Sequence, residues 1–591
     1  MKRLLSGNEA IARGAFEAGV RVGTAYPGTP STEILENLAH YPGVRTLWAT
    51  NEKVAMETGL GSAYAGARTI VAMKHVGLNV AADPFFYGAY TGIEAGMVIV
   101  SADDPGMHSS QNEQDNRRYA KFARVPFLEP SDSAEARDFT RLGFEISEAF
   151  DTPVIVRTTT RISHSHSPVE VDPDWQPADT ELPPYPRNPR KYVMIPAYAR
   201  PRHVVVEERL ERLAVYADET PLNRIEWGDR RLGIVSSGVS YNYAREAFPD
   251  ASFLKLGMPY PLPPRKVREF AAGVERLIVV EELDPFLEEE LRLLGVAVSG
   301  GKDAFPVLGE FDPDVVRGGG RKLGLLPEEG RRPAPVALEL APRPPVLCPG
   351  CPHRSVYHVL KRLKLVVNSD IGCYTLAVLP PLAATDTMGC MGGSISMAYG
   401  MELAGRAERG VATIGDSTFF HSGIPALLNI AYNGGRTIVI VLDNRTTAMT
   451  GQQGHPGTGM GVCGEGLHQV AIEDVGRAFG LQRVFVVDAY DTREMRRVLQ
   501  ESLEATEPTL VVARRACALL PVAREGRGLP YWVDLERCNG CGLCFDIGCP
   551  AIMRTAEGQA EIDPTLCVAC DLCAQVCARR AIQRGEERRT S

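Results

Sequence analysis

The sequence predicts a multidomain α/β protein built on parallel sheets and ending in a small cysteine-rich domain. Apolar, β-branched runs alternate with helical patterns along most of the chain, which is typical of strands buried beneath helices in parallel sheets. The 591 residues are 44% hydrophobic and 23% charged, a globular profile with room for several domains. Eight of the 14 cysteines fall after residue 537.

The predicted strands are short runs, each ending in a turn that contains Gly, Pro or Asp. A helical pattern follows each run, as parallel connections require. The clearest runs are Thr69–Met73, Met97–Ser101, Pro153–Arg157, Gly233–Ser236, Leu277–Glu281, Val411–Ile414, Ile438–Leu442 and Thr509–Arg514.

The N-terminus predicts a helix rather than a secretion signal. Ser6 and Glu9 have the spacing of a capping box, and Gly19 can end the helix. Polar residues, Asn8 and Arg13 among them, interrupt the apolar run before it forms a signal core. We therefore expect a cytoplasmic protein, in which clustered cysteines favour metal or redox chemistry over disulfides.

Charge and hydropathy exclude two classes of partner. The formal net charge is -9, so no bulk attraction to nucleic acid or anionic membrane is expected. No uninterrupted apolar run approaches the ~20 residues that cross a bilayer.

Proline-rich segments divide the chain into predicted domains. Residues 182–202 and 327–349 are typical of extended linkers, and the composition changes again near 525–532. The four predicted domains are 1–175, 200–325, 345–525 and 533–591.

The C-terminal cysteines form two nearly repeated motifs, C-x2-C-x2-C-x4-C-P and C-x2-C-x2-C-x3-C. Three cysteines two residues apart wrap one iron–sulfur cube, and the other half supplies the fourth ligand. The expected sets are therefore crossed: Cys538, Cys541, Cys544 and Cys577 for one cluster, and Cys567, Cys570, Cys573 and Cys549 for the other.

These motifs resemble a bacterial two-cluster [4Fe–4S] ferredoxin module. The first half departs from that pattern by one extra residue before Cys549, and Ala578 replaces the usual proline. A zinc site is the alternative, but zinc favours separated C-x2-C pairs over C-x2-C-x2-C triplets.

Polar residues follow two neighbouring predicted strands in the third domain. Asp416 follows one strand and Asn444 follows the next, and the carboxyl ends of adjacent parallel strands meet at one crevice. Such oxygen ligands suit Mg²⁺. Two ordinary strand-end turns are the alternative.

The spacing resembles the GDG…NN motif of thiamine-diphosphate enzymes, with Ser417 and Asp443 as departures. That resemblance implies that Gly415, Asp416 and Ser417 bind the cofactor. It makes Asp416, the Asn444 side chain and the Thr446 carbonyl the Mg²⁺ ligands.

A glycine-rich turn lies upstream of these residues. Gly389, Gly392 and Gly393 precede a helical pattern, and such glycines let backbone N–H groups approach a phosphate. A simple turn is the alternative.

The N-terminal domain carries a second set of motifs, 24-TAYPGTPSTEI-34 and 48-WATNEKVAMETG-59. Together they resemble the 2-oxoacid:ferredoxin oxidoreductase superfamily. The resemblance implies that Thr29 contacts the substrate and that Glu52 activates thiamine. A first-turn glutamate favoured by the helix dipole is the ordinary alternative for Glu52, and Glu57 is a nearby competitor.

Two further features remain open. The superfamily resemblance implies a third cluster near thiamine, and its ligands would be Cys348, Cys351, Cys373 and Cys517. Cys390 and Cys463 are alternatives for the fourth ligand. If there is no cluster, these cysteines are buried core thiols. His75 follows a predicted strand and is a candidate to contact the substrate or thiamine. A simple turn residue is the alternative.

The domain order resembles the large, alpha subunits of the superfamily branch that acts on indolepyruvate. It implies, in order, a pyrimidine-binding domain, an intermediate transketolase C-terminal-like domain, a diphosphate-binding domain and the ferredoxin-like module. The implied reaction converts an aryl pyruvate and coenzyme A to acyl-CoA and passes electrons to external ferredoxin. A smaller beta subunit and a homodimer of heterodimers are also implied.

Three alternatives remain. They are a ferredoxin-linked enzyme for pyruvate or branched-chain oxoacids, a non-oxidative decarboxylase, and a non-catalytic electron-transfer subunit. The cysteine module disfavours the second, and the presence of Glu52 and Asp416 disfavours the third.

Overall fold

Two six-stranded parallel sheets organise the chain, one in each of its two units, Met1–Val336 and Ala337–Ser591. The structure is a computed structural model and describes residues 1–176, 181–182, 184–185, 187–328, 343–406, 408–525 and 527–585. The fold class predicted from the sequence is confirmed.

The first unit contains a six-stranded sheet of order β3-β2-β4-β5-β7-β6, a four-stranded sheet of order β12-β10-β11-β9 and the antiparallel pair β1–β8. Its strands are β1 Lys2–Ser6, β2 Val22–Ala25, β3 Arg45–Trp48, β4 Thr69–Lys74, β5 Met97–Asp103, β6 Phe127–Leu128, β7 Val154–Thr159, β8 His166–Glu170, β9 Asn223–Glu226, β10 Asp229–Ser237, β11 Ala251–Leu256 and β12 Leu277–Val280.

Helices connect and cover these sheets. They are α1 Gly7–Glu17, α2 Thr32–Leu38, α3 Glu52–Tyr64, α4 His75–Val80, α5 Ala82–Thr91, α6 Arg117–Ala123, α7 Ser133–Phe150, α8 Thr160–His164, α9 Pro189–Tyr192, α10 Pro196–Glu219, α11 Gly238–Ala247, α12 Pro264–Ala272, α13 Phe286–Leu293 and α14 Pro313–Lys322.

The second unit contains the sheet β14-β13-β15-β16-β18-β17 and two small antiparallel pairs, β19–β22 and β20–β21. Its strands are β13 Val367–Ser369, β14 Thr387–Met388, β15 Val411–Gly415, β16 Ile438–Asp443, β17 Arg483–Asp488, β18 Thr509–Arg514, β19 Tyr531–Val533, β20 Ile552–Arg554, β21 Ala560–Ile562 and β22 Ile582–Arg584. Its helices are α15 His353–Arg362, α16 Ser394–Leu403, α17 Asp416–Thr418, α18 Ile424–Tyr432, α19 Ile472–Ala478, α20 Thr492–Glu504 and α21 Leu572–Gln575.

Both faces of the second unit's large sheet are buried, as its continuous apolar strands require. On β16, Ile438, Ile440 and Leu442 pack into one core, while Val439 and Val441 pack into another on the opposite face. The alternation follows from the two-residue period of a strand.

Six of the eight predicted strand runs fall within observed strands, and Pro153–Arg157 and Leu277–Glu281 each extend one residue beyond theirs. The capping box is also confirmed, because Ser6 Oγ accepts from Glu9 N at 3.2 Å and Glu9 Oε2 accepts from Ser6 N at 2.7 Å. Gly19 follows this helix with φ +73°.

The prediction of an extended linker over 182–202 is wrong for its C-terminal part, which forms α9 and the start of α10. Pro189 and Pro196 lie in the first turns of these helices, where a missing N–H breaks no hydrogen bond. The second predicted linker lies outside the described residues over 329–342. Across the part of the chain that the structure describes, no helix is both long and apolar enough to span a membrane.

Candidate active site and thiol sets

The carboxyl ends of β15 and β16 carry the predicted oxygen ligands of the second unit. The strand order reverses between β13 and β15, and ligands bind at such switch points in open α/β sheets. Asp416 directly follows β15 and is 2% exposed. Its Oδ1 accepts from Ser417 N at 2.9 Å, and its Oδ2 accepts from Arg445 N at 2.8 Å.

The Asp416 carboxylate is held in its charged form. Burial alone raises its pKa, but the nearby His455, whose Nε2 lies 3.1 Å from Asp416 Oδ2, brings the net pKa below the ordinary value. An ionised carboxylate is the form that a hard cation binds. Gly415 precedes it beneath Tyr374, whose hydroxyl accepts from Gly415 N at 2.8 Å.

Asn444 and Thr446 lie at the end of the neighbouring strand β16. Asn444 Oδ1 accepts from Thr446 N at 3.1 Å, and Asn444 Nδ2 lies 3.4 Å from His353 Nε2. Burial lowers the pKa of His353 to about 4, so this imidazole is neutral near pH 7. The carboxylate, amide and carbonyl oxygens here form a donor set that fits Mg²⁺ and a diphosphate.

The prediction that the amides of the glycine turn bind a phosphate requires a correction. Gly392 N donates to Asp370 Oδ1 at 2.8 Å, and Gly393 N donates to Cys390 O at 2.9 Å. These two amides are therefore already bonded and are not free to bind a phosphate. Gly392 is needed instead for its φ of +85° and its contact with Ser422, which leaves no room for a Cβ. Gly389, in the same turn, packs against Met397 of α16.

Four cysteines lie together next to this oxygen site. Burial, together with the neighbouring thiols of Cys517 and Cys348, raises the pKa of Cys373 to about 11. Burial likewise raises the pKa of Cys351 to about 12, with Cys373 and Cys348 as neighbours. Asn444 O accepts from Cys517 N at 2.9 Å, so the backbone directly joins this inner thiol set to the oxygen site.

The two cysteines that were alternative fourth ligands differ in exposure from the four grouped thiols. Cys390 and Cys463 are both exposed, whereas Cys351 is buried and Cys348, Cys373 and Cys517 are partly buried. The structure thus brings together the four thiols that the sequence grouped.

The C-terminal thiols line two separate cavities. One cavity is bounded by Cys538, Cys541, Cys544 and Cys577, and the other by Cys549, Cys567, Cys570 and Cys573. These are the crossed sets expected from the spacing. Burial, together with the neighbouring Cys538, Cys577 and Cys541, raises the pKa of Cys544 to about 11.

Among the residues with described placement, no three His, Cys, Asp or Glu side chains are gathered so as to hold a single metal ion. In a cubane each thiolate binds a different iron, so the ligands surround a cavity instead of converging on one point. Buried thiols with raised pKa values release protons when a metal binds. The two four-thiol cavities therefore fit iron–sulfur clusters.

Glu52 opens α3 in the first unit and is 6% exposed. A Cβ built on Gly77 of α4 would lie 2.7 Å from Glu52 Oε1, so the carboxyl group rests directly against this glycine. Glu57 lies one turn later, is exposed and pairs with Lys53. Of the two glutamates, Glu52 is therefore the buried one.

Thr29 and His75 flank the switch point of the first unit's large sheet, between β2 and β4. Ser109 Oγ donates to Thr29 O at 3.4 Å, and Lys74 Nζ donates to Ser109 O at 2.6 Å. His75 is fully buried, and neither ring nitrogen has a hydrogen-bond partner among the described residues. Burial lowers the pKa of His75.

Several residues of the second unit were missed by sequence reasoning. Asp370 accepts from Gly392 N and from Ser394 N at 2.9 Å. His353 and His455 contact Asn444 and Asp416. Asp370 directly follows β13, a three-residue strand that is not among the predicted runs, so its position after a strand gave no signal.

Family models match both units. Residues 13–218 match the pyruvate flavodoxin/ferredoxin oxidoreductase, thiamine diphosphate-binding family. Residues 370–513 match the thiamine pyrophosphate enzyme, C-terminal TPP binding domain family. Thiamine diphosphate is thus supported as the cofactor of these domains.

Relatives match almost the full chain. The indolepyruvate oxidoreductase subunit IorA of Pyrococcus horikoshii is 43% identical over 632 aligned positions, covering 99% of this chain and 97% of the relative. The same subunit of Archaeoglobus fulgidus is 42% identical over 614 positions, covering 98% and 97%. Among solved structures, 2-oxoglutarate:ferredoxin oxidoreductase from Magnetococcus marinus aligns with a TM-score of 0.45 at 18% identity, covering 55% of this chain and 65% of that one. The full-length identity to the curated relatives places the chain in the family of indolepyruvate oxidoreductase subunit IorA.

Proposed function

We propose that this chain catalyses the thiamine-diphosphate-dependent oxidative decarboxylation of aryl pyruvates, indolepyruvate among them, and delivers single electrons to ferredoxin. The observation that carries the proposal is the contact between two kinds of site. Asp416 and Asn444 offer hard oxygen ligands, and the Asn444 carbonyl bonds the amide of Cys517, a member of the inner thiol set. A decarboxylase without electron transfer has no use for thiols at that position.

Asp416, Asn444 and the Thr446 carbonyl would hold Mg²⁺, and the metal would hold the diphosphate. Gly415 and Ser417 flank Asp416 and fix its direction; Ser417 Oγ accepts from Thr447 Oγ1 at 2.9 Å. Bound thiamine diphosphate supplies a nucleophilic carbon and accepts the electron pair that remains when carbon dioxide leaves.

The first unit's residues would handle protons and substrate. Glu52 holds a proton at its carboxyl group for the cofactor's aminopyrimidine, which is positioned acid–base chemistry. Thr29 and the neutral imidazole of His75 contact the oxoacid. His75 suits this role because its buried ring nitrogens have no partner within the described part of the unit.

The thiols would hold three [4Fe–4S] clusters. The inner set is Cys348, Cys351, Cys373 and Cys517, and the crossed sets are those that line the two C-terminal cavities. The chain would work with a smaller beta subunit, coenzyme A and external ferredoxin. Two such heterodimers would form the assembly, in the cytoplasm.

The test is an anaerobic screen of oxoacids with coenzyme A and ferredoxin, performed on the chain co-purified with its small subunit. We expect indolepyruvate and other aryl pyruvates to support ferredoxin reduction with the highest kcat/KM. Metal analysis should find Mg²⁺ and about twelve irons per chain, four for each cluster. Zinc in place of iron, or preference for pyruvate or a branched-chain acid, would refute the corresponding part of the proposal.

A further inference from the structure

One arginine lies between two of the thiol sets of the second unit. Arg354, in the first turn of α15, is 2% exposed. It lines the cavity bounded by Cys549, Cys567, Cys570 and Cys573. Its guanidinium also reaches the inner set, since Arg354 Nε donates to Cys348 O at 3.1 Å.

Within the described part of the chain, its hydrogen bonds go to backbone carbonyls. Arg354 Nη1 donates to Ile547 O at 3.3 Å and also to Gly548 O, and Nη2 donates to Leu347 O. Leu347 immediately precedes the inner cysteine Cys348, and Gly548 immediately precedes Cys549. The same side chain thus fixes the loops that present one cysteine of each set.

The extra residue of the first C-terminal motif lies at this contact. Cys544 and Cys549 are separated by four residues, Phe545 to Gly548, where the second motif has three. Gly548 adopts φ +68°, and a Cβ there would lie 3.2 Å from Arg354 Nη1. The longer loop therefore turns its carbonyls towards the guanidinium.

Arg354 has no carboxylate partner among the residues that the structure describes. The opposing charges that act on it come from cysteines of both sets, Cys351 and Cys348 on one side and Cys549 and Cys570 on the other. A buried cation without a counter-charge is costly. A cluster with four thiolate ligands carries a net negative charge that increases on reduction, so a fixed cation beside it favours the reduced form.

We propose that Arg354 is a positioning residue that raises the reduction potentials of the inner cluster and of the cluster held by Cys549, Cys567, Cys570 and Cys573, while the cluster held by the Cys538 set stays outside its influence. The inference rests on the proposed function for the presence of the clusters. It adds a residue that sets their relative potentials.

The test compares Arg354→Gln and Arg354→Lys with a matched control, Arg409→Gln. Arg409 is 8% exposed, and like Arg354 it donates to backbone carbonyls, those of Ser502, Ala505 and Glu507. Its charged neighbours are Glu402, Arg436, Arg483 and Glu507. It therefore reports the cost of losing a buried guanidinium away from the thiols.

The readouts are iron content, thermal unfolding and EPR-monitored redox titration of the anaerobic protein. In Arg354→Gln, we expect the ratio of reduced to oxidised form of two clusters at a fixed potential to fall at least tenfold, a shift of about 59 mV for one electron. The third cluster should not move. Arg354→Lys should keep wild-type potentials, because it keeps the charge. Arg409→Gln should lose thermal stability without any shift in potential.

Wild-type potentials in an iron-replete Arg354→Gln protein would overturn the inference, and so would an equal shift in Arg409→Gln. If Arg354→Gln fails to assemble clusters, Arg354→Lys decides: full iron with wild-type potentials supports the charge role, and loss of iron in both variants overturns it. A wild-type chain without iron–sulfur clusters would instead refute the proposed function.

Discussion

The contact between Gly77 and Glu52 allows the proposed acid–base group to be moved without being removed. In Gly77→Ala, the new Cβ would lie 2.7 Å from Glu52 Oε1 and 2.8 Å from its Cγ. Ordinary contacts begin at 3.4 Å, so Oε1 must retreat by about 0.7 Å. Both of these atoms belong to a side chain, which shifts more readily than backbone.

The expected effect follows from that displacement. A misplacement of about 1 Å costs about 10²-fold in rate when a reacting group must be aligned. For about 0.7 Å, we expect kcat for oxoacid-dependent ferredoxin reduction to fall about 10- to 100-fold, or about 1.4–2.7 kcal/mol. The KM for the oxoacid should change little, because Glu52 acts on the cofactor.

Two control variants are measured beside Gly77→Ala, one that should keep full activity and one that should lose it. In Gly61→Ala, on the same helix as Glu52, the added Cβ meets no atom within 4 Å, so kcat should be unchanged and the helix slightly more stable, by up to about 1 kcal/mol. Glu52→Gln should abolish turnover with the clusters intact. If Gly77→Ala keeps kcat within twofold of wild type while thermal unfolding confirms the fold, the position of the Glu52 carboxyl group does not limit the reaction.

Three further predictions concern the oxygen site, the inner thiols and a buried acid. Asp416→Asn should weaken thiamine diphosphate binding at fixed Mg²⁺ at least tenfold by calorimetry, since the amide keeps the size of the carboxylate and one acceptor oxygen but carries no charge; unchanged affinity would exclude Asp416 as a ligand. Cys517→Ser should lose about four irons per chain, whereas Cys463→Ser, at an exposed cysteine, should lose none; equal iron contents would contradict the inner cluster. Burial raises the pKa of Glu282 from 4.5 to about 7, so its stabilising protonated form is fully present below pH 4.5 and is lost as the pH rises through about 7. Glu282→Gln should therefore raise the stability of the first unit at pH 8 by up to about 3 kcal/mol and leave it unchanged at pH 4, and urea unfolding that shows the same difference at both values would refute this.

The parts of the fold that were predictable are those set by local pattern. Continuous β-branched runs such as Ile438–Leu442 need both faces covered, and that requirement alone implies parallel strands beneath helices. The spacing of the C-terminal cysteines likewise determines which thiols can surround one cavity, because short loops limit their reach. Asp416 and Asn444 were found because each directly follows a strand.

The parts that were not predictable depend on contacts between distant segments. Asp370 accepts from an amide 22 residues away, at Gly392, and no spacing rule links the two positions. The glycine turn therefore resembled a phosphate-binding loop although two of its amides are already bonded, that of Gly392 to Asp370 and that of Gly393 to the Cys390 carbonyl. The helical segment from Pro196 was missed for a different reason: prolines in a first turn are compatible with a helix but are equally typical of a linker.

The sequence departs from the motifs at Asp443 and at the extra residue before Cys549, and an arginine contacts each of these two places. These contacts explain how the fold accommodates both departures. Asp443 stands where thiamine-diphosphate enzymes have Asn, and it adds a second buried carboxylate close to Asp416. Burial and Asp416 raise the pKa of Asp443, but Arg514 Nε donates to its Oδ2 at 2.6 Å. Because Arg514 balances the charge of Asp443, the proposed cation site does not depend on Asp443, and Asp416 remains the carboxylate that we propose as the metal ligand.

The extra residue before Cys549 has the corresponding partner in Arg354, which binds the carbonyls that the longer loop presents. Either departure considered alone weakens a motif match. Each becomes intelligible once its arginine is identified, because a buried carboxylate needs a counter-charge and buried carbonyls need donors. The pairing also makes a prediction for related chains: in a chain with Asn in place of Asp443, an arginine at position 514 has only its contact with Glu473, and a chain without the extra residue has no carbonyl pair for Arg354 to bind.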